Sequence, residues 1–192
     1  MGFWTWLLVG AAAVVAVWAV LVFNRLVRAR NLMRAGLSDI DVQLQRRHDL
    51  VPQLVEAVRA YAGYERSVLR EVVELRGRAE SSSGVADRDE AEQALAGGIG
   101  RLVLLAEEYP DLKAGETFRQ LMAELVDVED HIQHARRFYN GAVRELNTYV
   151  QRFPDLLVAR LTGFREASFF SAGIEARATP QVGELLGAGA TG

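Results

Sequence analysis

Residues 3 to 23, FWTWLLVGAAAVVAVWAVLVF, carry no charge over 21 positions. Roughly 20 apolar residues are what a helix needs to cross the hydrocarbon core of a bilayer. Trp4 and Trp6 lie at one end, where amphipathic rings favour the interface. A buried helix of a soluble protein normally keeps a polar face, and this run has none. A cleaved signal peptide has its basic residues before the apolar run and a small-residue cleavage site after it. Here only Met-Gly precedes, while NRLVRARN comes behind, so Arg25, Arg28, Arg30 and Arg34 all lie after the span. The run therefore reads as a retained anchor. The positive-inside rule sets those arginines in the cytoplasm and the short N-terminus outside. The expectation is a single-pass protein of the inner cell membrane, in contact with the bilayer through residues 3–23, with the bulk of the chain cytoplasmic.

Behind the anchor the apolar spacing is helical. Only four prolines occur, at 52, 110, 154 and 180, and they punctuate the chain because proline removes a backbone donor. Phe118, Leu121, Leu125, Val128, Ile132, Ala135, Tyr139, Ala142, Leu146, Tyr149 and Phe153 alternate steps of three and four. Such a sustained heptad seam predicts a long helix with coiled-coil-like packing. Leu54, Val58, Tyr61, Val68, Val72 and Leu75 keep the same rhythm, with Glu65 in one seam position. So do Leu26, Met33, Leu37, Ile40, Leu44 and Val51, with Arg30 and Arg47 in the seam. A shorter helix runs from about Asp89 to Tyr109.

Two connections stand out. ESSSGVAD, 80 to 87, is small and polar, and Asp87 or Asp89 is placed to cap the next helix. YPDLKAGET, 109 to 117, leads to the long helix, with Glu116 or Thr117 near its start. The expected fold is all-α: one transmembrane helix, residues 1–23, leading into an antiparallel four-helix bundle over 24–170. Its segments are about 24–50, 52–79, 88–109 and 116–153. Residues 155–170 form a short apolar helix with an aromatic end, and 171–192 a disordered tail. In VQLQRRHDLVPQLVEAV, 42 to 58, the charges interrupt the seam and Pro52 comes soon after. Asp49 can cap a new helix there. The alternative is a kink within one very long first helix.

Composition excludes several function classes. The net charge of −3 comes with no basic, aromatic-interleaved block, which disfavours nucleic acid. There is no cysteine, hence neither a disulfide framework nor thiolate chemistry. No N-x-S/T acceptor occurs.

Five motifs appear in order: FNRLVRARN, IDVQLQRRHDLVPQLVEAVRAYAGYE, AEEYPDLKAGETF, ARRFYNGAVRELNTYVQRFP and LLVARLTGFREASFF. Together, over about residues 24 to 170, they resemble the LemA family of bacterial membrane proteins. The resemblance implies an anchored helical bundle without assigned catalytic residues. Gly36 and Leu37 depart from an expected alanine followed by an aromatic, and Tyr64 stands where a histidine is common.

The residues offer little chemistry. His131 and His134 share a helix face, but no Glu-x-x-His or H-E-x-x-H motif is present. AGGIGRL, 96 to 102, lacks the P-loop ending, so its glycines are expected to serve close packing or a bend. Ser81 to Ser83 lack a nucleophile-elbow pattern. No catalytic, cofactor or metal residues are expected. The residues singled out are Arg30, Arg46, Arg47, Asp49, Glu65, Asp127 and Glu129. Arg30, Arg47 and Glu65 are expected either to pair, the arginines with carboxylates such as Asp127 or Glu129, fixing register, or to reach solvent. The functional expectation is a non-enzymatic, membrane-anchored scaffold or adaptor that self-associates or binds other membrane proteins. The alternative is a regulatory or substrate-presenting partner of a membrane enzyme such as an envelope quality-control protease.

Overall fold

The computed structural model describes residues 2–62 and 65–171, and over them the chain is helical with no strand. Helix α1 spans Phe3–Arg59, α2 Arg66–Ser81, α3 Val85–Glu107, α4 Pro110–Ala114, α5 Glu116–Gln151 and α6 Asp155–Leu161. Tyr64, and the tail expected to be disordered past Ser171, lie outside the described residues.

α1 has 57 residues, which at 1.5 Å per residue is about 86 Å. Its first 21 residues are the uncharged apolar run, and the most apolar window there is almost wholly unburied within the chain. A core helix of that composition would be covered. From Val22 and Leu26 onward the same helix enters the core. α1 continues without a break past residue 23.

The chain does not reverse at Asp49 or Pro52. α1 runs through both, and the turn comes after Arg59, so the expected segment 52–79 divides between α1 and α2. Asp49 is not a cap. It lies exposed in mid-helix and accepts a hydrogen bond from Gln45 Nε2 at 2.9 Å. Pro52 has no N–H to give the carbonyl of His48, four residues earlier. Arg76 of α2 supplies the missing donor, its Nε reaching the His48 oxygen at 2.8 Å. A side chain from a neighbouring helix thus lets proline sit inside α1. Arg76→Met should cost about 1–3 kcal/mol, the range for orphaning a buried acceptor. In a Pro52→Ala background that cost should shrink, because alanine restores the backbone donor. Equal costs in both backgrounds, measured by thermal unfolding, would refute the compensation.

α1 and α5 form the most extensive helix pair. Gly36 of α1 faces Tyr139 of α5 so closely that a Cβ on it would lie 3.1 Å from the Tyr139 Cα. Farther along α1, Arg46 and Arg47 meet Asp127 and Glu129. Nearer the span, Val22, Leu26 and Ala29 share a cluster with Leu146. Numbers along α5 fall as those along α1 rise. The long seam is buried at Phe118, Leu121, Leu125, Val128, Ile132, Tyr139, Ala142 and Leu146. Its last expected member, Phe153, lies past the helix end and is 73% exposed.

The connection before α3 is shorter than the polar stretch suggests. α3 starts at Val85, preceded by Gly84 at φ 84°, a conformation that suits glycine. Neither Asp87 nor Asp89 is the cap. Within α3, a Cβ on Gly98 would lie 2.8 Å from Leu75 Cδ1, so this glycine permits close packing on α2.

Candidate functional site

Charged side chains from three helices meet inside the bundle. α1 contributes Arg47 and His48, α3 Asp89 and Glu92, and α5 Arg136; all five are buried. Asp89 and Glu92 are three apart, which places them on one face of α3. Each oxygen of the Glu92 carboxylate has a partner. One oxygen accepts His48 Nε2 at 2.7 Å, and the other accepts Arg47 Nη2. Arg47 Nη1 reaches Glu129, at the rim of α5, at 3.0 Å. Arg46, on the exposed edge, meets Asp127 at 2.9 Å. Beside this, Arg136 Nη2 lies 3.3 Å from Asp89 Oδ1, in ion-pair rather than hydrogen-bond geometry.

Burial pushes the Glu92 carboxyl up. The hydrogen bond from His48 and the charge of Arg47 more than offset that and hold it below its ordinary value. Burial also lowers Arg136, against the opposing charge of Asp89. Such pairs gain little against apolar packing, but an unpaired member is strongly unfavourable. A cavity of about 290 Å³ opens beside the pair, lined among others by Asp41, His48, Glu80, Ser82, Arg88 and Glu92. Its charges are already committed: Arg88 to Asp41, and Glu92 to His48 and Arg47. Proton transfer to a ligand there would have to break the His48–Glu92 contact.

The cluster also holds the end of the described chain. After α6 the backbone extends and lies along α5. Asn147 Nδ2 donates to the Ala167 carbonyl at 3.0 Å, and its Oδ1 accepts the Ala167 N–H at 2.8 Å. Asn140 does the same for Phe170, at 3.0 Å in both directions. Seven helical residues rise about 10.5 Å, and three extended residues cover about 10 Å. Asparagines one heptad apart therefore match backbone amides three residues apart. Between them, the Tyr139 hydroxyl donates to the Ser168 carbonyl at 2.9 Å, and burial pushes that phenol up. The Ser171 N–H donates to Asp89 Oδ2 at 2.9 Å, and Arg136 lies 5.5 Å from the Phe170 ring centroid.

Of the residues singled out from sequence, the structure brings Arg46, Arg47, Asp127 and Glu129 together. Arg30 and Glu65 form no ion pair among the described residues. Arg30 stacks on Phe164, 4.5 Å from the centroid, and Glu65 is exposed just before α2. Arg25, Arg28 and Arg34 are exposed along α1. His131 sits over the Asp127 carbonyl at 2.7 Å, and His134 accepts from Arg137 at 2.8 Å. Among the described residues no group of three or more His, Asp or Glu side chains is placed to hold a metal. Sequence reasoning misses Arg76, Asp89, Glu92, Arg136, Asn140 and Asn147. The asparagine pair carries a signal, since asparagine is a poor helix former and the two stand one heptad apart.

The chain is similar to magnetosome protein MamQ of Magnetospirillum gryphiswaldense, at 25% identity over 85% of this chain and 71% of the relative. Magnetosome protein MamQ 2 of Paramagnetospirillum magneticum is 27% identical over the same shares. Protein LemA of Metamycoplasma hominis is 24% identical over 84% of this chain and 74% of the relative. The family model for the LemA family matches residues 36–183, most of the sequence, and the chain belongs to the LemA family.

Proposed function

We propose that this protein is a membrane-anchored, non-enzymatic scaffold or adaptor that self-associates, with its bundle on the cytoplasmic side. The observation that carries the reading is the continuity of α1, which runs from the apolar span to the buried charge cluster without a linker. A bundle joined this way is held at a fixed height above the membrane. The arginines just behind the span favour the cytoplasmic side. The opposed numbering of α1 and α5 favours an antiparallel bundle, with α2 and α3 as its other long members. Relatives named for the magnetosome and for the family itself are consistent with one structural module put to several uses.

A surface for self-association lies on α1 and α5. Val42 and Phe138 are 62% and 49% exposed and line a groove of about 370 Å³ with Ala135, rimmed by Asp39, His131 and His134. The chain has no cysteine, so Val42→Cys and Phe138→Cys each introduce a unique crosslinking site. Bifunctional maleimide treatment of intact membranes should give a dimer from both variants. Monomers alone would sink self-association. A single dominant heterologous adduct would favour the regulatory partner of a membrane enzyme instead.

A further inference from the structure

The corner between α5 and α6 presents large apolar side chains to the outside. Leu161 is 87% exposed, Phe153 73% and Leu157 48%. Leu157 and Leu161 are four apart on one face of α6. The other face, through Asp155, Val158 and Ala159, is buried against the protein. α6 is thus apolar on both faces, one covered by the protein and one left uncovered, and an uncovered apolar patch of this kind marks a contact with membrane or protein.

Its position fixes the occupant. Val158 and Ala159 share a cluster with Val22, Leu26 and Ala29 of α1, and Trp18 and Ala19 pack partly buried against it. At 1.5 Å per residue, Trp18 lies about 8 Å inside the end of the span at Phe23, and Ala29 about 9 Å beyond it. α6 is therefore held at the depth of the headgroups. Around it Arg25, Arg28, Arg160 and Arg165 are exposed and have no ion-pair partner among the described residues, whereas Arg152 is committed to Asp155. The exposed acids of this end are Glu145 and Glu166. Four free guanidinium groups beside an apolar face complement a layer of lipid phosphates over hydrocarbon.

We propose that the α5–α6 corner is a second membrane-contacting element. Phe153, Leu157 and Leu161 enter the interfacial layer of the bilayer that α1 crosses, and Arg25, Arg28, Arg160 and Arg165 meet its phosphates. The proposal rests on the anchor reading of residues 3–23. The bundle is then attached along a line, through α1 and α6, and cannot swivel about α1.

The test uses the full chain in vesicles of mixed phosphatidylcholine and phosphatidylglycerol. Nitroxide labels are placed singly at Phe153→Cys, Leu157→Cys and Leu161→Cys, with Val14→Cys in the span and Val126→Cys on α5 as controls. Collisions with oxygen report hydrocarbon, and collisions with a water-soluble nickel chelate report water. The expected result is an oxygen-to-nickel ratio at the three corner sites several-fold above that at Val126→Cys. Ratios equal to that of Val126→Cys overturn the proposal. Shielding from both reagents also overturns it, because it means that protein, such as a second copy, covers the corner. Hydrocarbon at Val14→Cys with water at the corner overturns this inference alone, whereas water at Val14→Cys overturns the anchor reading beneath it.

Discussion

Glu92→Ala is expected to destabilise the bundle by about 3–5 kcal/mol, the cost of removing one partner from a buried ion pair. The carboxylate serves two cationic or donor groups at once, and neither can turn to water. Arg47 is buried to 4% exposure and His48 to 5%. Arg47 Nη1 keeps its contact with Glu129 at the rim, but Arg47 Nη2 and His48 Nε2 both lose their acceptor inside the bundle. Glu92→Gln should cost less, since an amide oxygen still accepts one bond. The combined variant Arg47→Met, His48→Leu, Glu92→Leu should recover most of the lost stability, because apolar side chains of similar volume often replace a buried charge set at no net cost. Thermal unfolding monitored by circular dichroism, on the full chain in detergent, separates the three. A loss below about 1 kcal/mol in Glu92→Ala, typical of an exposed pair, would mean that the cluster is solvated.

The same residue fixes a pH dependence. Its carboxyl is held below the ordinary value of 4.5 in the folded protein. The native state therefore binds the proton less readily than the unfolded chain does. Stability from Glu92 is fully present above the unfolded value and is lost as pH falls through the lower, folded one. Arg47 and His48 face this carboxyl directly. Wild type should lose melting temperature on acidification below about pH 4.5 more steeply than Glu92→Gln, which has no proton to take up there. Parallel slopes would assign the acid sensitivity to other carboxylates.

The helices are legible in the sequence because heptad spacing is a local property. Phe118 to Leu146 reads as one seam, and it is buried. Pro52 is not decidable from its own neighbourhood. Whether a proline ends a helix depends on which group serves the carbonyl four residues back, and that donor is Arg76, on another helix. The charge cluster is half visible for a similar reason. Arg47 stands out as a charge in an apolar seam, whereas Glu92 lies on α3, where the apolar rhythm is too weak to mark any position as interior. Asp89 resembles a cap because it comes after a polar loop. Gly84 starts the helix earlier, so Asp89 turns inward and finds Arg136 and the Ser171 N–H instead. Arg30 reads as a charge seeking a carboxylate, but the large group it meets is the Phe164 ring, brought there by a segment 134 positions later in the chain.

The extended segment after α6 should come free when its two asparagines are removed. Asn140→Ala with Asn147→Ala deletes four hydrogen bonds to the backbone of Ala167 and Phe170. At about 1 kcal/mol net apiece, the opening of the segment should become easier by about 4 kcal/mol, while the α1–α5 contacts that set the melting temperature stay in place. Cleavage of a transiently opened segment tracks its open population when reclosing is fast. Each 1.4 kcal/mol is a factor of ten, so trypsin cleavage after Arg165 should accelerate by about two to three orders of magnitude. The aromatic anchors give the contrasting case. Phe170 is 2% exposed and edge-on to Tyr139, 5.3 Å between centroids. Phe170→Ala removes a packed ring and should also lower the melting temperature, by about 3–5 kcal/mol in stability. If the asparagine pair leaves cleavage unchanged while Phe170→Ala accelerates it, the segment is held by its ring alone. If both accelerate it and only Phe170→Ala lowers the melting temperature, the asparagines hold the backbone in register and the ring joins it to the core.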